Sequence, residues 1–242
     1  MSTVPVFTRI TPHIYKLNLE WELQIPFVPK IPTAVWLIDE GEQWTLIDSG
    51  PPGYEQIVPA AIQEHIGQKP VARLLLTHAH LDHVSSLLSL RDRWPILPVW
   101  AHAAEVPFVV GSMSYHELSS SNLIFNLMKR RMQESGLKFQ EVGALAADGF
   151  VAGMSVHHVP GHTPGQLAFL HEEDRALICA DAFMNLNNKL APPLRVSSYD
   201  LIAARQSMRM LAELEFDLLL PSHDPGNGVP HEDLQRRLPK LI

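Results

Sequence analysis

Residues 77–83 read Thr77-His78-Ala79-His80-Leu81-Asp82-His83, and this heptad sets the reading of everything around it. Three imidazoles and one carboxylate fall within positions 78–83. A mostly apolar run, 71–76, precedes them, and a helix-like stretch, 83–90, follows. Four metal-preferring side chains at the exit of a strand are costly to bury and poor at filling a core. A divalent metal site accounts for all four together.

Three further motifs share that placement. His162 lies in Gly161-His162-Thr163-Pro164-Gly165, Asp181 in Cys179-Ala180-Asp181, and His223 in Leu220-Pro221-Ser222-His223-Asp224. Each follows an apolar run, where strand ends meet a common rim, and that is the physical ground for expecting them to converge. Taken singly, His162 or His223 reads as an ordinary hydrogen-bonded residue. Asp181 alone reads as a helix cap, and Asp82 alone as a stabiliser of a helix N-terminus. Their joint occurrence favours metal. The other histidines, among them His13, His65, His102, His116, His171 and His231, are read as ordinary. His157 and His158 stand closer to the site and are not chosen as ligands.

Outward from these motifs the chain shows two halves of similar grammar. In the first, 35–38 and 45–47 read as strands joined by the turn Glu40-Gly41-Glu42-Gln43. The break Asp48-Ser49-Gly50-Pro51 follows, then a helix-like 54–66 in which Pro59 is out of place. The run 71–76 suits a strand covered on both faces. Residues 83–93 are a helix candidate and 97–101 a strand. In the second half, 154–159 alternates, and 167–171 with 176–180 reads as a hairpin across Glu172-Glu173-Asp174. A helix is expected over 198–214 with Ser198 as its N-cap, then a strand over 216–220. Sheets with helices outside them point to an α/β sandwich. The whole of 1–242 is expected to form one domain, with a mainly helical insert around 103–149. The Met- and Leu-rich centre of the insert, 113–132, suits either a lid or a helical pair packed on the core.

Composition narrows the partners. Of the 242 residues 46% are hydrophobic, enough for a substantial core. The net charge of −7 disfavours nonspecific nucleic-acid binding, which needs clustered Lys and Arg. The short basic run Lys129-Arg130-Arg131 is read as a solvated face. Cys179 is the sole cysteine, so neither an intrachain disulfide nor a Cys-based zinc site is expected, and its apolar neighbours mark it as a small buried hydrophobe. Residues 1–19 carry no secretory pattern and no segment has the apolar length to span a bilayer, so a soluble cytoplasmic protein without a membrane partner is expected.

With His78, His80, Asp82 and His83, then His162, Asp181 and His223 in order, and the Asp48-Ser49-Gly50 turn after an early strand, the chain resembles the metallo-β-lactamase superfamily. The motifs span residues 48–223. The resemblance implies an α/β fold, the four-layer αββα sandwich, with two metals in the cleft between its halves. By that likeness His78, His80 and His162 hold one divalent ion and Asp82, His83 and His223 the second, bridged by Asp181. Nitrogen and oxygen ligands suit Zn²⁺ and also tolerate Fe²⁺, Mn²⁺ or Co²⁺.

Two close divalent ions can share a water and lower its pKa toward neutrality, and the resulting hydroxide attacks a carbonyl or phosphoryl centre. No Gly-x-Ser-x-Gly elbow offers an alternative nucleophile. Asp82 is the catalytic candidate, orienting the nucleophile and carrying its proton. Asp48 and Thr77 are candidates for orienting histidine ligands, with turn and strand-end capping as the plainer alternative. Within the superfamily, Asp181 stands where some lactamases use Cys. Flavin-linked members change a heptad ligand to Glu, and nucleases add domains or basic arms. Glyoxalase II-type thioesterases add a C-terminal helical domain, whereas 19 residues follow His223 here.

Quorum-quenching lactonases are similar in length and ligand set. They place a Tyr near the bridging Asp, whereas Asp181 is followed by Ala182-Phe183-Met184. Tyr115, in the insert, is the candidate substitute. Phe183, Met184, Phe108, Phe125, Trp21, Phe27 and Trp36 are candidates for an apolar acyl pocket, with core packing the alternative for each. The expected function is a dinuclear metal-dependent hydrolase of a carbonyl ester, most of all a lactone, acting on a small molecule. A phosphodiesterase, phosphotriesterase or thioesterase of the same fold is the runner-up, and a metal-binding sensor without turnover the reading of another class. An apolar insert equally serves as a dimer surface, so a homodimer stays open.

Overall fold

Alternation of apolar side chains along the strands decides how the layers stack. A computed structural model describes residues 5–22, 30–129 and 139–242. The first sheet runs in chain order through β1 (Thr8–Arg9), β2 (Ile14–Trp21), β3 (Ile31–Asp39), β4 (Trp44–Ile47), β5 (Val71–Leu75), β6 (Val99–His102) and β7 (Val142–Leu145). The second contains β8 (Phe150–Val151), β9 (Met154–His158), β10 (Leu167–His171), β11 (Ala176–Ala180), β14 (Leu218–Pro221) and β15 (Val229–Pro230), in the order β15-β14-β11-β10-β9-β8. A separate hairpin joins β12 (Met184–Leu186) to β13 (Lys189–Ala191).

On β3, Ala34, Trp36 and Ile38 face one way and Val35 and Leu37 the other. On β10, Leu167 and Phe169 oppose Ala168 and Leu170; on β11, Ala176 and Ile178 oppose Leu177 and Cys179. The first group from each strand meets in one cluster between the sheets. The remaining faces are covered by helices. Val58, Ala61, Ile62 and Ile66 of α1 (Ile57–Ile66) pack on the first sheet, together with Val84 of α2 (Leu81–Val84) and Leu87 and Leu90 of α3 (Leu87–Arg93). Met208, Leu211 and Ala212 of α6 (Leu201–Ala212) and Leu234 of α7 (His231–Arg237) cover the second. The result is the αββα sandwich. Cys179 is fully buried in its outer layer, as a small hydrophobe.

Several boundaries differ from the pattern-based expectation. Pro59 falls in the first turn of α1, where its missing N–H has no helical partner to lose. The helix expected over 83–93 is two pieces broken at Ser85-Ser86. The last long helix starts at Leu201 with Asp200 as N-cap, accepting from Ile202 N and Ala203 N, while Ser198 is engaged elsewhere. Among the described residues of 103–149 the helical pieces are short: α4 (Val106–Val109), a 3₁₀ turn at Tyr115–Glu117 and α5 (Leu123–Met128). The later part of this stretch contributes β7, which pairs in parallel with β6 as a sheet edge. Arg130, Arg131 and Phe27 lie outside the described residues. No helix among the described residues is long and apolar enough to cross a membrane.

Candidate metal centre

The loops that follow β4, β5, β9, β11 and β14 open on one rim, and each brings a site residue. β4 and β5 are parallel, as are β11 and β14, so their C-terminal ends point the same way. Ligand sites form at such strand ends in open α/β sheets. After β4 the backbone turns through Asp48 in the left-handed region, φ 59°. After β11 it does so at Ala180, φ 49°, where the pairing with β14 slips by a bulge. Both conformations are unfavourable for side chains other than glycine and cluster at functional sites. They aim the Asp48 and Asp181 carboxylates inward.

All seven residues read from the sequence meet there. His80 Nδ1 lies 3.2 Å from His78 Nε2 and 2.9 Å from His162 Nε2. His223 Nε2 lies 2.9 Å from Asp181 Oδ2 and 3.5 Å from Asp82 Oδ2. His83 Nε2 lies 3.4 Å from Asp181 Oδ1 and 3.5 Å from Asp82 Oδ2. Asp181 Oδ2 is also 3.3 Å from His162 Nε2, so one carboxylate touches both groups. The donors form three overlapping triads, His78–His80–His162, His78–His83–Asp181 and Asp82–His83–His223.

The far nitrogen fixes the tautomer of four of the five imidazoles. Thr77 Oγ1 donates to Asp48 Oδ2 at 2.8 Å and stands 3.0 Å from His78 Nδ1, which makes it the acceptor of the His78 proton. His83 Nδ1 donates to Asp48 Oδ2 at 2.8 Å, and His223 Nδ1 to the Pro32 carbonyl at 2.8 Å. His162 Nδ1 faces Ser198 Oγ at 3.4 Å. In the neutral ring, as a metal ligand requires, Nε2 of each of these four is left with a lone pair directed at the centre.

Burial strips water from this cluster, and charge then sorts it. Desolvation lowers the pKa of His78 well below 6.5, of His80 to about 3 and of His162 to about 4, with neighbouring imidazoles adding to the effect. For His83 burial acts the same way, but the carboxylates of Asp82, Asp181 and Asp48 outweigh it and raise the pKa. His223 is raised against burial mainly by Asp181. Burial pushes Asp82 and Asp181 up, yet the adjacent His83 and His223 prevail and hold both below the usual carboxylate range.

The residues fit a metal. Lone pairs of His78 and His162 converge on His80 Nδ1, which has at most one proton to offer. His83 Nε2 and Asp181 Oδ1 are buried without a hydrogen-bond partner among the described residues. Tetrahedral coordination with bonds of about 2.0–2.1 Å needs donors roughly 3.3 Å apart, close to the spacings found. A cation satisfies these atoms where protons cannot.

A sequence model described as the metallo-β-lactamase superfamily matches residues 28–223. The chain belongs to that superfamily. Among curated proteins it is similar to the probable metallo-hydrolase YybB of Bacillus subtilis (strain 168), with 25% identity over 221 residues and 89% of each chain covered. It is 30% identical to a hydroxyacylglutathione hydrolase of Xylella fastidiosa (strain M12) over 64% of this chain and half the length of that enzyme. Among solved structures, TTHA1623 in a di-iron-bound form superposes with a TM-score of 0.64 at 24% identity, covering 93% of this chain and all of that one. As in the rest of the superfamily, metal ions are the expected occupants of the His/Asp clusters.

The proposed substrate contacts are placed differently. Phe183 is fully buried in the outer layer of the second sheet, Met184 is 2% exposed and Tyr115 8%. Phe108, Phe125 and Trp36 are also buried, so core packing accounts for them. Tyr115 donates its hydroxyl to Glu105 and sets its ring against His80, centroids 4.8 Å apart. None of these side chains offers an open wall to a ligand.

Sequence reading missed four supports. Glu105 is fully buried; its signal was a carboxylate a few residues past the strand 97–101, at the same rim. His158 Nε2 donates to the Pro164 carbonyl at 3.0 Å and stacks on His102, bracing the His162 loop. Lys16, buried on β2 with its pKa lowered to about 8 by desolvation, donates to the carbonyls of Asp224 and Gly226 and holds the His223 loop. His13 and His171, read as ordinary, meet Asp174. That group is a hydrogen-bonded latch: Asp174 accepts from His13 Nδ1, His13 N and Thr11 Oγ1, and its own N–H reaches His171 Nδ1.

Proposed function

We propose that the chain is a dinuclear metal-dependent hydrolase that opens carbonyl esters, with lactones favoured. The position of Asp181 carries the reading: its Oδ2 touches His162 Nε2 at 3.3 Å and His223 Nε2 at 2.9 Å, joining two donor sets through one carboxylate. His78, His80 and His162 would hold one ion and Asp82, His83 and His223 the other. The all N/O donor set favours Zn²⁺, with Fe²⁺, Mn²⁺ and Co²⁺ tolerated. Such ions lower the pKa of water toward neutrality and draw electron density from a carbonyl or phosphoryl oxygen.

The chain's own residues supply orientation and proton transfer. Asp82, whose Oδ2 stands 3.5 Å from both His83 Nε2 and His223 Nε2, is the proton acceptor at the reacting water. Asp48, Thr77, Pro32 and Ser198 hold four of the rings by their outer nitrogens. Cys179, buried and with its thiol pKa raised well above the usual by desolvation, plays no nucleophilic part.

The test is pH-stat hydrolysis of a long-chain acyl-homoserine lactone by metal-reconstituted protein, with Asp181→Ala as control. Ring opening that is lost in the variant is the expected result. No turnover by metal-filled protein removes the lactone reading. The likeness to hydroxyacylglutathione hydrolase favours thioesters as the second class, so an S-acylglutathione is run in parallel with a phosphodiester.

A further inference from the structure

Glu105 has no part in the chemistry above, yet its buried carboxylate reaches both loops that bear the first donor set. Its Oε2 accepts from Ala79 N at 2.9 Å, between His78 and His80. Its Oε1 accepts from Gly165 N at 2.7 Å, three residues past His162. Oε2 also accepts the Tyr115 hydroxyl, whose ring lies edge-on to His80 and stacks on Phe108 at 4.1 Å. The two loops belong to different sheets, one following β5 and the other between β9 and β10. Gly165 is part of the fit: a Cβ there would stand 2.8 Å from Glu105 Cγ.

We propose that Glu105 is a positioning residue for the first ion: by tying the Ala79 and Gly165 amides to one carboxylate and clamping Tyr115 on His80, it sets the separation of His78, His80 and His162. This rests on the metal reading above. Three donors on one buried carboxylate form a stiff junction, because releasing any of them leaves a polar group unpaired. Gln keeps the volume but offers one acceptor oxygen, and turns N–H toward N–H.

The experiment is Co²⁺ titration of wild-type, Glu105→Gln, Tyr115→Phe and Gly165→Ala chains against a competing chelator, following the visible Co²⁺ absorption bands. Thermal unfolding of each metal-free chain reports the fold. Glu105→Gln is expected to weaken uptake of one equivalent by about 10–100-fold and to change its bands. Tyr115→Phe, which keeps both amide bonds, is expected to lose less than tenfold. A folded Glu105→Gln chain with wild-type affinity and spectrum overturns the proposal. If that variant does not fold, Gly165→Ala decides, since its Cβ displaces the carboxylate: unaltered Co²⁺ binding overturns the proposal, and weakened binding upholds it. A wild-type chain that takes up no Co²⁺ overturns the metal reading itself, and this inference with it.

Discussion

Asp48 is the residue on which the heptad's geometry turns. Its carboxylate accepts Thr77 N, Thr77 Oγ1 and His83 Nδ1, each at 2.8 Å. One side chain therefore orients His83 directly and His78 through Thr77. In Asp48→Asn one of those oxygens becomes a donor, and ion affinity is expected to fall about 10–100-fold. Chelator competition measures it, and an unchanged constant would show that packing alone orients the rings. Asp82→Asn tests the proton acceptor. Turnover is expected to drop about 10²–10⁴-fold while the ion at His78, His80 and His162 is retained. Metal analysis beside the kinetics checks this; equal loss of ion and rate would reduce Asp82 to a ligand.

At the scale of elements, the start of α6 and the His162 loop form one unit. Gly161 has φ 133°, and a Cβ there would stand 2.1 Å from Ala204 N, inside the helix's first turn. Asp200 N and Tyr199 N donate to the carbonyls of Gly161 and His162 at 2.8 and 3.0 Å. Gly161→Ala combines a disfavoured conformation with a backbone clash, and is expected to destabilise the fold by about 1–3 kcal/mol or more. Urea denaturation measures it, and a loss below about 0.5 kcal/mol would mean that α6 yields freely. The same unit explains why Ser198 is not the N-cap. Ser and Asp cap equally well in a sequence, but Ser198 Oγ donates to Leu194 O and faces His162, leaving the cap to Asp200. The break at Ser85-Ser86 was equally invisible, since neither residue stops a helix by itself.

Across the whole molecule, the two sheets are tied at both ends. At the site end, Ala34 N donates to Ser222 O and Leu167 N to Thr77 O. Elsewhere the turn between β1 and β2 meets the turn between β10 and β11 through His13 and Asp174, 2.8 Å apart. The hydrogen bond to Asp174 raises the His13 pKa above 6.5 against a smaller effect of burial. Burial pushes Asp174 up, but Thr11 and His13 together hold it below 3.8. A raised His pKa stabilises fully below 6.5, and the contribution is lost as pH rises through the folded value. A depressed Asp pKa stabilises above 3.8, and is lost as pH falls through its folded value. The latch is therefore strongest between those limits. His13→Asn should lower Tm most near pH 5, roughly, and progressively less as pH rises through the raised His13 value. A pH-independent difference between the two chains would assign the loss to packing instead.

The sequence by itself pointed to an α/β sandwich and singled out seven His and Asp side chains at strand exits, which the fold brings together. The apolar runs 167–171 and 176–180 read as a strand pair across Glu172-Glu173-Asp174, and imidazoles past strand ends have few uses but metal. It left Glu105, Tyr115, Phe183 and the His13–Asp174 latch undecided or misread. A carboxylate accepting two backbone amides leaves no periodic trace, because its partners are 26 and 60 residues away along the chain. An aromatic side chain packs equally well in a core or a pocket wall, and only the neighbours that the fold brings to it decide which. Local pattern records what a residue needs, burial or a partner; tertiary structure decides which partner answers, because that depends on contacts between sheets that no single segment encodes.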